Sequence, residues 1–163
     1  MDKVLIACDH GGYELKKKII DFLTERGIVV EDFGSEGTEI VRYPYYAVPL
    51  CEKISQGKVK RGILICSTGI GISIIANRHP HVRASLCTST YMAKMTRKHN
   101  DSNVLCLGGK ITGELEALDI VETWLNTDFE GGRHSISLSL LEEVEDTMFS
   151  GKYWQVPKRE EWL

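Results

Sequence analysis

The stretch that most restricts how this chain can fold is Gly62-Ile63-Leu64-Ile65-Cys66-Ser67-Thr68-Gly69-Ile70-Gly71-Ile72-Ser73-Ile74. An unbroken apolar run ending in a cysteine predicts a strand buried on both faces, as in a parallel sheet. The chain then turns through Ser67 to Gly71, and Ile72, Ile74, Ile75 and Ala76 predict a helix directly after. Glycines let such a turn fold tightly and come close to a ligand, because no Cβ intervenes. N–H groups at a helix start favour an anion or a developing negative charge. Cys66 falls at the strand's carboxyl end, where open α/β sheets place their sites, and a helix start beside a thiol favours the thiolate. The same residues also read as a small buried thiol before an ordinary turn, and spacing alone favours neither reading.

The rest of the chain repeats the strand–helix alternation. Val4 to Cys8 predicts a first strand, followed by an Asp9-His10-Gly11-Gly12 turn. A helix from Tyr13 carries Leu15, Ile19, Ile20, Phe22 and Leu23 at helical spacing, with Gly27 as its C-cap. Ile28 to Phe33 predicts the second strand and Ser35 to Tyr46 a loop. The next helix runs through Ala47, Leu50 and Ile54 to Gly57, with Pro49 in its first turn. Later elements are strand Val82–Cys87, helix Tyr91–Lys98, strand Asn103–Gly109, helix Gly113–Leu125 and a last helix from about Ile136 to Met148. The Gly113–Leu125 helix takes Leu115, Leu118, Ile120, Val121, Trp124 and Leu125 as its apolar face. This alternation predicts a three-layer α/β/α, Rossmann-like domain with a five-stranded parallel sheet over residues 1–149. A tail, 150–163, carries Trp154 and Trp162 among charges.

Composition excludes several function classes. A net charge of −3 with no basic stripe argues against nucleic-acid partners. No apolar segment is long enough to span a bilayer, and the first strand begins at once, without a signal-peptide pattern. The 5 cysteines are odd in number and lack CxxC or Cys/His metal spacing. They read as reduced thiols, four of them in strand-like runs, which predicts a cytoplasmic protein. Gly71 is not followed by the Lys-Ser/Thr of a P-loop, position 74 lacks the third glycine of a dinucleotide fingerprint, and Ile72 replaces the arginine of a Cys-x5-Arg phosphatase. No bound nucleotide, cofactor or metal is expected. Reactive side chains remain at Asp9 and His10, at Cys66, Ser67 and Thr68, at His99-Asn100-Asp101, and at Arg133 and His134.

Together the blocks Ala7–Gly12, Gly62–Gly71, Ile75–Asn77, His99–Gly108 and Gly131–His134 resemble the ribose-5-phosphate isomerase B family, which includes galactose- and allose-6-phosphate isomerases. The resemblance covers about Met1 to Val144 and implies metal-free aldose–ketose isomerisation of a sugar phosphate through a cis-enediol. It implies Cys66 as the base moving a proton between C1 and C2, with Thr68 helping the hydroxyl proton. Some members place a glutamate where this chain has Ile72, so Cys66 is the only base implied. Amides from Ser67 through Gly69, Ile70 and Gly71, with the Asn100 side chain, would stabilise the enediolate. His99 and Asp9 would open the furanose ring, while His10 and Arg133 would hold the phosphate. Members are homodimers or tetramers, and the resemblance implies that His99 and Asn100 reach the site from a partner subunit. The chain departs from the family pattern at Tyr45, Ser67, Thr88-Ser89 and Ser137, where Asp, Gly, His-Asp and a second phosphate-binding Arg are usual. Lys110 is the candidate for the missing charge. A six-carbon phosphate, a free aldose, or binding without turnover are the alternatives these departures open.

Overall fold

A computed structural model describes residues 3–158. The element order is β1 (Val4–Cys8), α1 (Tyr13–Glu25), β2 (Val30–Asp32), α2 (Pro44–Ser55), β3 (Arg61–Cys66), α3 (Ile70–Ala76), β4 (Ala84–Leu86), α4 (Thr90–Asn100), β5 (Val104–Gly108), α5 (Glu114–Leu125) and α6 (Arg133–Phe149). The strands form one five-stranded sheet in the order β2-β1-β3-β5-β4, and every neighbouring pair is parallel.

Side-chain alternation explains the layering. Val4, Ile6, Cys8, Ile63, Ile65, Leu105 and Leu107 face one side, where α1 and α5 bury Leu15, Ile19, Leu23, Ile120, Val121 and Trp124. Leu5, Ala7, Leu64, Cys66, Val104 and Cys106 face the other, covered by Ala47, Leu50 and Ile54 of α2 and Ile72 and Ala76 of α3. Both faces of β1, β3 and β5 are therefore dry, which is why these strands read as continuous apolar runs rather than alternating ones. Lys16 is 2% exposed on α1. Its ammonium donates to both Asp32 carboxylate oxygens, at 2.8 and 2.7 Å, and to the Ser35 carbonyl at 2.7 Å. All its protons are matched, and the turn after β2 is fastened to α1.

Several expected boundaries shift. β2 is shorter than Ile28–Phe33, because it lies at the sheet edge and Val29 is 61% exposed. The segment read as a loop to Tyr46 is already helical at Pro44, whose fixed φ suits a first helical position. Pro49 then sits inside α2 rather than in its first turn. Pro49 has no N–H for the Tyr45 carbonyl, but both residues are exposed, so water can satisfy it. Leu115 is 78% exposed, leaving Ala117, Ile120, Val121 and Trp124 as the buried stripe of α5.

The chain divides into two compact units at Glu130/Gly131. The second contains α6, which begins at Arg133 rather than near Ile136, so Arg133 and His134 occupy its first turn. None of its side chains is buried, and Ile136, Leu140, Leu141, Met148 and Phe149 are exposed. Trp154 donates its indole N–H to Glu143 at 3.0 Å, whereas Trp162 lies outside the described residues. No described helix is long and apolar enough to cross a membrane.

Candidate active site

The strand order reverses between β1 and β3: the chain moves outward from β1 to β2, then returns to β3 on β1's other side. At such a switch point the two following turns part and leave a crevice at the strands' carboxyl ends. Asp9 and His10 follow β1 there, and Cys66, Ser67 and Thr68 end or follow β3.

Backbone hydrogen bonds stitch these turns together. Asp9 N–H donates to the Ile65 carbonyl at 3.1 Å, Gly109 N–H to that of Cys66 at 2.8 Å, and Lys110 N–H to that of Ser67 at 3.0 Å. The turns after β1, β3 and β5 thus form one rigid rim. Glycines permit the closeness. A Cβ on Gly11 would collide with the Ser67 hydroxyl, and one on Gly109 would lie 2.5 Å from the Gly11 carbonyl oxygen. Ser67 therefore projects its hydroxyl against Gly11.

Cys66 is the most exposed of the cysteines, at 5%; Cys8, Cys51 and Cys106 are fully buried and Cys87 is 1% exposed. Gly69, in the left-handed region at φ 78°, turns its N–H onto the Cys66 sulfur at 3.1 Å. A thiolate accepts such a bond well, and the peptide dipole is fixed before any substrate arrives. Burial pushes Cys51 and Cys87 up to about 12 and Cys106 well above its ordinary value. Burial also raises Cys8. These four are core groups. Thr68 is exposed, and its hydroxyl accepts the Ile70 N–H at 3.3 Å. Two of the amides expected to face an enediolate, those of Gly69 and Ile70, are thus turned to Sγ and to Thr68. Gly71 completes the loop under the ring of Tyr43, which is 3.0 Å from where a Cβ would sit.

Asp9 is 5% exposed and accepts the Gly11 N–H at 2.8 Å, which shapes the turn. His10 Nδ1 lies 3.2 Å from the Val41 carbonyl oxygen and 3.3 Å from its amide nitrogen. Either tautomer is thereby anchored, leaving Nε2 as the ring's other polar atom. Lys110 is exposed at the rim.

His99 and Asn100 do not join this group. They end α4, and a helix following a parallel strand carries the chain back to the sheet's amino edge. Arg83, just before β4, reaches the Asn100 carbonyl with its Nε at 3.0 Å. Cys66, by contrast, pairs with Gly108 at the far end of β5. A strand of this length separates the edges by about 15 Å. Arg133 belongs to the second compact unit. Sequence reasoning missed Tyr43 and the Val41 backbone, both in the segment taken for a loop; the Tyr43-Pro44 pair at a helix start was the available signal.

The family model for ribose/galactose isomerases matches residues 4–141. Ribose-5-phosphate isomerase B of Escherichia coli is 42% identical over 145 residues, which cover 89% of this chain and 97% of that one. Among solved structures, ribose-5-phosphate isomerase B of Clostridium thermocellum superposes with a TM-score of 0.88 at 49% identity, covering 90% and 99% of the two chains. The enzyme of Thermotoga maritima gives 0.85 at 43% identity, covering 88% and 99%.

Proposed function

The chain belongs to the ribose/galactose isomerase family and is an aldose–ketose isomerase of sugar phosphates, and we propose that it interconverts ribose 5-phosphate and ribulose 5-phosphate with Cys66 as its carbon base. The observation that carries this reading is the Gly69 N–H aimed at the Cys66 sulfur on a rim stitched from the turns after β1, β3 and β5. A thiolate there takes the C2 proton of the open-chain aldose, and the electron pair moves through C2 toward the carbonyl, forming a cis-enediolate. Transfer of the C2 hydroxyl proton to the C1 oxygen, in which Thr68 assists, and return of the thiol's proton to C1 give the ketose. The remaining loop amides, those of Ser67 and Gly71, line the path of the developing charge. No metal takes part. Asp9 and His99 open the ring; His10 and Arg133, with Lys110, hold the phosphate.

The distance between the sheet edges supports a shared site, in which His99 and Asn100 of one subunit complete the Cys66 crevice of another. Exposed Ile70, Ile74 and Tyr91, together with the uncovered α6, are surfaces such a homodimer or tetramer would bury. Residues 1–149 would act as one isomerase domain with a short tail, in the cytoplasm. Isomerisation in deuterated water with chelator present tests the chemistry. Solvent deuterium should enter the substrate's reacting carbon, and Cys66→Ala should bind substrate but not turn it over, because a base acts in the transition state. Complete retention of the original hydrogen, or near-normal turnover in Cys66→Ala, would overturn the assignment.

A further inference from the structure

The last turn of α4 is held by more than a helix end requires. Asp101, its C-cap, takes the left-handed conformation with φ 44° and ψ 46°, where Asn or Gly would serve as well. Its carboxylate receives two arginines from different parts of the chain: Arg97 Nη1 on Oδ1 at 2.7 Å and Arg83 Nη2 on Oδ2 at 3.0 Å. Arg83 Nε also donates to the carbonyls of Asn100 and Asp101, both at 3.0 Å. Arg97 is 2% exposed and further donates to the Ser102 carbonyl at 2.6 Å and the Thr127 carbonyl at 3.2 Å. Trp124 closes the cluster through its indole N–H on the Ser102 hydroxyl at 2.8 Å. One carboxylate between two guanidiniums, with the adjoining carbonyls tied to the same arginines, fixes the orientation of the helix's last two residues. Those residues are His99 and Asn100.

We propose that Asp101, clamped by Arg83 and Arg97, is a positioning residue that presents His99 and Asn100 to the active site of a neighbouring subunit. The inference rests on the shared-site reading above. Its consequence is that Asp101 acts in trans: it serves the crevice into which its own His99 projects, not the Cys66 of its own chain. Asp101→Asn keeps a side chain tolerant of the left-handed conformation but removes the charge that both arginines grip. Its expected effect is a fall in kcat of about tenfold, equivalent to about 1.4 kcal/mol, with KM little changed because the phosphate is held elsewhere.

Subunit exchange separates positioning from a general structural defect. Asp101→Asn chains are mixed with excess Cys66→Ala chains, and activity is measured per intact Cys66. In mixed oligomers each intact Cys66 faces a His99 whose Asp101 is normal, so activity should rise toward the wild-type value. His99→Asn mixed with Cys66→Ala is the control. If the control regains activity and Asp101→Asn does not, the positioning role is wrong while the shared site stands. If the control regains nothing despite demonstrated mixed oligomers, the shared-site reading fails and takes the inference with it. Should Asp101→Asn fold poorly, Arg83→Lys, which keeps the charge but loses the fork that joins the Asp101 carboxylate to the Asn100 and Asp101 carbonyls, goes through the same exchange with the same expected recovery.

Discussion

Replacing Gly69 by alanine probes the loop on which the proposed chemistry depends. Gly69 sits at φ 78°, and an L-residue there costs about 1–2 kcal/mol. Its new Cβ would overlap a Leu86 methyl and lie 2.9 Å from the Leu107 carbonyl carbon and 3.0 Å from its oxygen. The methyl can rotate aside, but the β5 backbone is held in the sheet and cannot, so the loop must move. Such overpacking adds about 1–3 kcal/mol. Gly27 provides the control, because it has φ 71° with nothing within 4 Å of its would-be Cβ. Gly27→Ala therefore carries the conformational cost alone, and both variants share the same gain of about 0.4–1 kcal/mol from stiffening the unfolded chain. The difference between their stabilities by urea unfolding should be about 1–3 kcal/mol, or roughly 2–12 °C in Tm for a chain of this size. Activity should divide the two more sharply. Displacing Gly69 removes its N–H from the Cys66 sulfur, and a hydrogen bond to a charged group is worth about 1.5–3 kcal/mol, one to two decades in rate. Equal destabilisation by the two variants, or full kcat in folded Gly69→Ala, would refute the argument.

Two further outcomes concern the thiols. Burial pushes Cys51 and Cys87 up to about 12 from an ordinary 9.0, so between those values the unfolded chain has released protons that the native one retains; the stability from these neutral thiols is complete below about pH 9 and falls by about 1.4 kcal/mol per pH unit and thiol toward pH 12. Urea midpoints followed across that range should fall less steeply for Cys87→Ala than for the unsubstituted chain, and identical slopes would contradict the burial argument. Iodoacetamide added to native protein should modify Cys66 first, with activity lost in proportion, since the other four thiols are at most 1% exposed; peptide mapping that finds Cys8 or Cys51 modified before Cys66 would count against it.

The sheet was legible because β1, β3 and β5 are dry on both faces and so carry unbroken apolar runs. The edge strand β2 was overextended because Ile28 and Val29 look no different from buried strand residues, although Val29 faces water. The start of α2 was hidden for another reason. Tyr43 to Tyr46 lack a helical apolar stripe, and placing Pro49 in the first turn sets the helix start too late, because Pro44 is the initiator. In the site, Cys66 stood out through its strand–turn–helix setting, while the grip of Gly69 on its sulfur depends on one left-handed φ that spacing alone does not specify. Val41, which anchors His10, has no chemical signature at all, since only its backbone takes part.

His99 and Asn100 mark where reading a chain for reactive residues meets its topology. Every turn leaving a parallel strand lies on the carboxyl edge, so Asp9, Cys66 and Lys110 gather there without long-range design. A residue at the end of the following helix lies on the opposite edge, because 11 helical residues at about 1.5 Å each return the chain by about 16 Å. Within one chain, therefore, Cys66, the proposed base, and His99, proposed for ring opening, cannot meet without dismantling the sheet. The shared site proposed above would bring the two edges together, and the path of α4 supports it. A fold that leaves His99 and Asn100 on the edge opposite Asp9, His10, Cys66, Ser67, Thr68 and Lys110 would gain from association what no rearrangement of its own loops supplies. On the proposed shared site, the clamp on Asp101 would belong to the interface as much as to α4: it would hold ready, in each subunit, the group that another subunit uses.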